Sequence, residues 1–411
     1  MLLENERIDF EVDNEAAKHL SEEEINKKYQ DGELRIITET GRYPLVNIVA
    51  ILSNNIEFHP EYQRRRVWSN VQKSRLIESF IINVPIPPVF LYEVDYSKYE
   101  VMDGIQRLST VYEFYENRFA LEGLEIWPEL NGMKYNELPG KVKSGIDRRY
   151  ISTIVILKET AKTAEEELIL KKFVFERLNT GGTRLTDQET RNALLDGPMN
   201  RLCVDIASNC KTLHKLWRIT PYKERDLLEQ LSNIEVEEIK ETKGLKTFIR
   251  MEDVELVLRF FAYRQLRENP KTKVKDILDL YLKRANTFDD ALLQELKKVY
   301  YEVIELADSI LGVNAFAMYT AKRGSTFTWN KTPSKMVYDP MLMALSKYCG
   351  NDKYKLVLVN AKAEIKKRME LMFVNYADDF DARNSGKNDV LKREEYYEHI
   401  FESIIRESIN D

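Results

Sequence analysis

Apolar residues recur along this chain with two periods, and the point where one gives way to the other divides it. Residues 69–83 place Leu76, Ile77, Phe80 and Ile81 on the inward side of a helix. Ser69-Asn70-Val71-Gln72 has the form of a capping box, so that helix starts at Ser69 and stops near Asn83, ahead of Pro85, Pro87 and Pro88. Residues 89–94 then read as a strand, 95–98 as a turn and 99–102 as its hairpin partner. A helix follows to about residue 117, with Leu108, Val111, Tyr112 and Tyr115 at i, i+3, i+4 and i+7. The β-branched run 150–158 is expected to be the last strand. Beyond it the helical period takes over: 163–178 with Leu168, Phe173 and Leu178 among its inward candidates, then a helix capped by Thr186-Asp187-Gln188-Glu189. Further helices are expected at 252–267, 274–285, 289–311, 339–347 and 355–374, with surface connections at 235–246 and 324–334 and a loop at 378–388 before a final helix. Upstream, 44–54 reads as a short amphipathic helix, 34–37 as a short strand, and 56–68 as extended or loop.

The layout is α+β: a small mixed α/β unit followed by a large all-helical one. Its expected divisions are an N-terminal arm over 1–40, the α/β domain over 41–160, and the helical domain over 161–411. Composition fits a folded, helix-rich protein, with 43% apolar and 32% charged residues, fifteen glycines and twelve prolines. A formal charge of −6 argues against a surface coated for nucleic acid, while leaving room for a local basic groove. Cys203, Cys210 and Cys349 have no CxxC spacing, which favours reduced thiols. No signal-like start and no run of eighteen apolar residues are present, so a cytoplasmic location is expected. His19, His59, His214 and His399 are scattered, with no HExxH, and no GxxxxGK[ST] or GxGxxG loop occurs. Zinc chemistry, histidine-based hydrolysis and the common nucleotide loops are thereby set aside.

Three polar clusters remain. Tyr62-Gln63-Arg64-Arg65-Arg66 either is a basic surface loop or sets guanidiniums over a polyanion. Asp103-Gly104-Ile105-Gln106-Arg107 turns a strand into a helix whose polar start carries Gln106, Arg107 and Ser109. Unpaired backbone N–H groups, the positive end of the helix dipole and a guanidinium there suit a phosphate, although such turns also occur for packing alone. In Glu176-Arg177-Leu178-Asn179-Thr180-Gly181-Gly182, Glu176 and Asn179 stand i, i+3 ahead of a glycine loop. A carboxylate and an amide oxygen so placed suit Mg²⁺, and the same pattern also fits a solvated helix end with a glycine stop.

The order of these clusters resembles the GmrSD N-terminal domain family, which is related to the ParB/sulfiredoxin fold. Tyr62-Gln63-Arg64 through Trp68 is similar to its first box, and Ile86-Pro87-Pro88-Val89 to the lead into its strand. Asp103 to Thr110 resembles its DGQQR signature, and Phe175 to Gly182 followed by Leu185 to Glu189 resembles its third box. The resemblance covers roughly residues 40–200 and implies a ParB/sulfiredoxin-like nucleotide-binding domain in a bacterial restriction or anti-phage system. It implies a nucleoside triphosphate and Mg²⁺ as cofactors. Gln63, Arg64, Asp103, Gly104, Gln106, Arg107, Asn179 and Gly181 would bind the nucleotide, Glu176 and Asn179 the metal, and Asp103 and Arg107 would serve any hydrolysis. The implied partners are modified phage DNA and a separate nuclease or effector. Two departures stand out. Ile105 stands where the signature usually has its first Gln, which removes a polar contact and counts against hydrolysis, and the usual C-terminal HNH pattern is missing, so cleavage by this chain is not expected. The expected activity is that of an NTP-hydrolysing regulator, the alternative a non-catalytic module that binds nucleotide or DNA and recruits an effector.

Overall fold

A computed structural model describes residues 2–10, 21–31, 36–57, 68–161, 163–178, 186–219, 247–321, 326–381 and 386–410. Contacts divide the chain into two compact units, one of Asn14–Thr190 with Lys223–Lys240, the other of Met1–Asp13, Arg191–Tyr222 and Glu241–Asp411.

In the first unit, α1 (Glu22–Asp31) precedes β1 (Thr38–Pro44), α2 (Ile48–Asn55) and β2 (Ile56–Glu57). Then come α3 (Asn70–Ile82), β3 (Val89–Asp95), β4 (Lys98–Asp103) and α4 (Ile105–Tyr115). The series ends with α5 (Gly140–Asp147), β5 (Tyr150–Ile156), α6 (Ala164–Leu178) and α7 (Asp187–Leu194), the last of which runs across the division. The five strands form one mixed sheet in the order β1-β5-β3-β4-β2. β3 pairs antiparallel with β4 as the hairpin pattern predicts, and parallel with β5. The core on one face joins Leu45, Ile48 and Leu52 to Ile77 and Phe80 of α3, Leu91 and Val101 of the hairpin, and Leu108, Val111 and Phe114 of α4. Burying each such side chain contributes about 1.5–3 kcal/mol, so the apolar stripes fix which sides of α3 and α4 meet the sheet.

Two local readings hold in detail. Ser69 caps α3 by accepting from the Gln72 N–H at 3.2 Å, and the Gln72 side chain accepts from the Ser69 N–H at 3.1 Å. Asn83 ends that helix in the left-handed region at φ 63°. Others change. β1 lies downstream of the short strand read at 34–37, because Thr38-Glu39-Thr40-Gly41-Arg42-Tyr43-Pro44 lacks apolar alternation and is a strand by virtue of its antiparallel ladder with β5. α5 forms between the helix ending near residue 117 and the strand at 150, where no element was expected, and it contains Gly140 and Gly145. Among the described side chains of α6, Leu170, Val174 and Phe175 are buried, whereas Phe173 is exposed beneath the Arg177 guanidinium, 4.1 Å from its ring centre; the Leu168 side chain lies outside those described.

The second unit is helical: α8 (Pro198–Asn209), α9 (Lys211–Trp217), α10 (Glu252–Tyr263), α11 (Val274–Ala285), α12 (Asp290–Leu311), and, after one hairpin, α13 (Lys335–Ser346), α14 (Asp352–Asn360), α15 (Lys362–Asn375) and α16 (Lys387–Asn410). The hairpin, β6 (Ala317–Thr320) with β7 (Thr328–Pro333), occupies part of the span read as a surface connection and is a departure from the all-helical expectation. The single helix expected over 355–374 is two, divided at Ala361. Its centre is α10, where Arg259 pairs with buried Asp339 of α13. The N-terminal segment is tied in by Glu6, which is fully buried and accepts two hydrogen bonds from Arg264, at 2.6 and 2.7 Å. Among the described residues no helix is long and apolar enough to cross a membrane.

Candidate functional site

The end of β4 and the start of α4 carry the described part of the site. A strand must turn sharply to feed a helix here, and Gly104 does so with φ 97° and ψ 15°, which an L side chain rarely adopts. Its carbonyl accepts the first helical bond from the Leu108 N–H at 3.0 Å. Having no side chain, Gly104 offers no side-chain cap to the first turn, and the positive end of the α4 dipole lies at this turn.

Arg107 braces this turn. Its Nη2 donates to Asp103 Oδ2 at 2.7 Å and to the Pro88 carbonyl at 3.2 Å, joining the end of β4, the entry to β3 and the first turn of α4. The guanidinium is 16% exposed and the Asp103 side chain 35%, so the pair adds little stability, about 0–1 kcal/mol, and acts chiefly by fixing geometry. Arg107 Nε is buried with no hydrogen-bond partner among the described residues. An unsatisfied donor costs about 1–3 kcal/mol, which an acceptor placed against it would recover. The close fit requires glycine: a Cβ at Gly104 would lie 2.8 Å from Arg107 Nη2 and 2.8 Å from Val89 Cγ2.

Gln106 has a more specific place than its sequence suggests. Its Oε1 accepts from the Trp68 N–H at 3.1 Å, which fastens the end of the first box to the DGQQR-like turn. Ser109, read as part of the polar face, is buried and donates to the Ile105 carbonyl at 2.8 Å, so it belongs to the helix interior. Ile105 is also buried and joins the hydrophobic core with Leu108 and Val111. Its departure from the signature is therefore an apolar residue at a core position, and the polar contact it was read as removing would have lacked an outlet there.

Of the residues the sequence singled out, the structure brings Asp103, Gly104 and Arg107 together and places Gln106 against Trp68. Gln63, Arg64, Asn179 and Gly181 lie outside the described residues; Glu176 is within α6, but its side chain lies outside them too. Among the described residues no three His, Cys, Asp or Glu side chains gather as a metal site. The Pro88 carbonyl and Trp68 N–H were not anticipated as parts of the site. Their contribution comes from backbone groups, and side-chain chemistry in a sequence does not signal those.

Residues 48–195 match the family described as the GmrSD restriction endonuclease, N-terminal domain. No curated protein and no solved structure matches the chain.

Proposed function

We propose that this chain, whose residues 48–195 match the GmrSD N-terminal domain family, acts in restriction-type defence, binds a nucleoside triphosphate at the Asp103–Arg107 turn and passes the bound state to an effector. The observation carrying this reading is the glycine that starts α4 without a side-chain cap, beside a braced guanidinium whose buried Nε has no partner among the described residues. Backbone donors, helix dipole and Arg107 would together take a phosphate. Gln106 holds the Trp68 end of the first box, and Gln63 and Arg64 of that box would add phosphate contacts. Mg²⁺ would enter with the phosphates and be held by Glu176 and Asn179, the metal supplying charge neutralisation of the phosphates. The ParB/sulfiredoxin relationship belongs to the same proposal.

Turnover is the finer step. Asp103 is the carboxylate of the turn, and it is engaged by Arg107. That favours nucleotide binding that signals to a separate nuclease or effector on phage DNA, with hydrolysis depending on groups outside the turn.

A thermal-shift panel over ATP, GTP, CTP, UTP and their diphosphates, with and without Mg²⁺, tests binding. A ligand at 100 times its Kd stabilises the fold by about 2.7 kcal/mol, a readily measured shift. Phosphate release under the same conditions, with and without DNA, separates hydrolysis from binding alone. Arg107→Ala should weaken triphosphate binding by about 10- to 100-fold, the worth of a charge-assisted hydrogen bond. Wild-type binding by that variant would show the site to be elsewhere.

A further inference from the structure

The opposite face of the sheet holds a charged cluster that the turn does not use. Along β3 and β4, Tyr92 and Glu100 are cross-strand partners, and they alternate with Leu91 and Val101, which face the main core. Tyr92 and Glu100 therefore point to the other side, where α6 lies. Lys171 of α6 donates to Glu100 Oε2 at 2.7 Å and pairs with Glu167 Oε1 at 2.9 Å, one helical turn earlier. Its ammonium also stands 4.4 Å from the centre of the Tyr92 ring. Lys171 is only 13% exposed, and Tyr92 is fully buried with no partner for its hydroxyl among the described residues. Burial alone would lower the Lys171 pKa, but Glu100 and then Glu167 outweigh it and hold the ammonium above its ordinary range.

A lysine held by two carboxylates and an aromatic face is a directional clamp. Simple apolar contact would let α6 slide or rotate, whereas a charge with three fixed partners sets both register and azimuth. Both ends of the clamp lead to the proposed site. Glu100 precedes Asp103 by three residues on β4, and Lys171 precedes Glu176 by five on α6.

We infer that Lys171 is a positioning residue, locking α6, whose last turn opens the third box, onto the β3–β4 hairpin that delivers the Asp103-Gly104 turn. It fixes the separation between the α6 backbone that carries Glu176 and the turn that takes the phosphate. The consequence for Mg²⁺ rests on the nucleotide reading above; the clamp itself does not.

The test uses the full chain with Lys171→Met, Lys171→Arg and Glu100→Gln, the last keeping a hydrogen bond to Lys171 while removing its charge. Amide hydrogen exchange should be faster by about tenfold in α6 of Lys171→Met, with α4 unchanged. Unchanged protection in α6 overturns the clamp. In parallel, each of four fluorescent ribonucleoside triphosphates is titrated with Mg²⁺ and in its absence. Lys171→Met should raise the Mg²⁺ concentration for half-saturation by about tenfold while Mg²⁺-free affinity stays within about twofold, Glu100→Gln should act in the same direction, and Lys171→Arg should restore the wild-type value. A loosened α6 with unchanged Mg²⁺ dependence, or an equal loss with and without Mg²⁺, overturns the positioning role. If the wild-type chain binds none of the four, the nucleotide reading fails and hydrogen exchange alone decides the clamp. If Lys171→Met does not fold, Glu100→Gln supplies both measurements.

Discussion

Replacing Gly104 by alanine tests whether the turn is built around Arg107. Two costs should arise. A non-glycine residue in the left-handed region loses about 1–2 kcal/mol, and φ here is 97°. The added Cβ would also meet Arg107 Nη2 and Val89 Cγ2 at 2.8 Å, closer than real contacts allow. Moving the guanidinium weakens its bonds to Asp103 and Pro88, each worth about 1 kcal/mol, so the total loss should be about 2–4 kcal/mol. Gly132 provides the control, because it has φ 85° but a Cβ there would meet no heavy atom within 4 Å. Gly132→Ala should cost only the backbone share, about 1–2 kcal/mol. Urea unfolding followed by tryptophan fluorescence, with slopes checked for equality, measures both variants. In an Arg107→Ala background the Gly104→Ala loss should shrink by about 1 kcal/mol, since one of the two clashes is gone. Equal losses at positions 104 and 132, or no change in the Arg107→Ala background, would refute the claim that glycine is required by the guanidinium.

Three further outcomes follow from other parts of the fold. Ser69→Ala removes the reciprocal cap of α3 and should destabilise the first unit by about 1 kcal/mol, measured in the same urea series. Glu6→Ala leaves Arg264, itself 2% exposed, without its carboxylate, and should cost about 3–5 kcal/mol by thermal or chemical unfolding; a loss below about 1 kcal/mol would show that the N-terminal segment is not docked as described. Burial would raise the Glu255 carboxyl, but Lys335, Arg259 and Arg191 outweigh it and hold it down at about 2. A carboxyl with a lowered folded pKa stabilises fully above its unfolded value near 4.5, and that contribution is lost as pH falls from there toward 2. The stability difference between wild type and Glu255→Gln should therefore narrow across that window in pH-dependent unfolding, and a constant difference would exclude this carboxylate as the source.

Legibility in the sequence followed the kind of force that makes each element. Where side-chain burial decides, as in α3, β3 and α4, the apolar spacing of Leu76, Ile77 and Phe80 or of Leu108 and Val111 located the element and its inward side. Where backbone pairing decides, the signal was weak: β1 carries Thr, Glu, Gly, Arg and Pro, and is held by its ladder with β5. The β6–β7 hairpin and the division at Ala361 were equally silent, since no glycine or proline marks position 361 and polar residues dominate β7. In α6, Phe173 was read as inward because it is apolar, whereas contact with Arg177 accommodates it on the outside.

The candidate site divides in the same way, and the division bears on mechanism. Gly104 and Arg107 were legible because the turn demands one residue type and the phosphate reading another. The position of Ile105 was not, since a helix N1 residue can face either way, and only the packing of α4 against the core settles it. With Ile105 buried, the position where the signature has its first Gln contributes to the packing of α4 in this chain. Asp103 is bound to Arg107, so releasing it to orient a water would remove one of the two hydrogen-bond acceptors that brace the guanidinium. Asp103 braces the guanidinium through Oδ2, which makes its carboxylate first a structural partner of the turn. We therefore expect any turnover to draw its water-positioning group from the first box, the third box or a partner. Asp103→Asn separates these roles: the amide can still accept from Arg107, so binding should stay within about threefold, and turnover, if it uses another group, should fall no further than binding does. A loss of turnover by about 100-fold at unchanged affinity would return Asp103 to the catalytic role and overturn this division of labour.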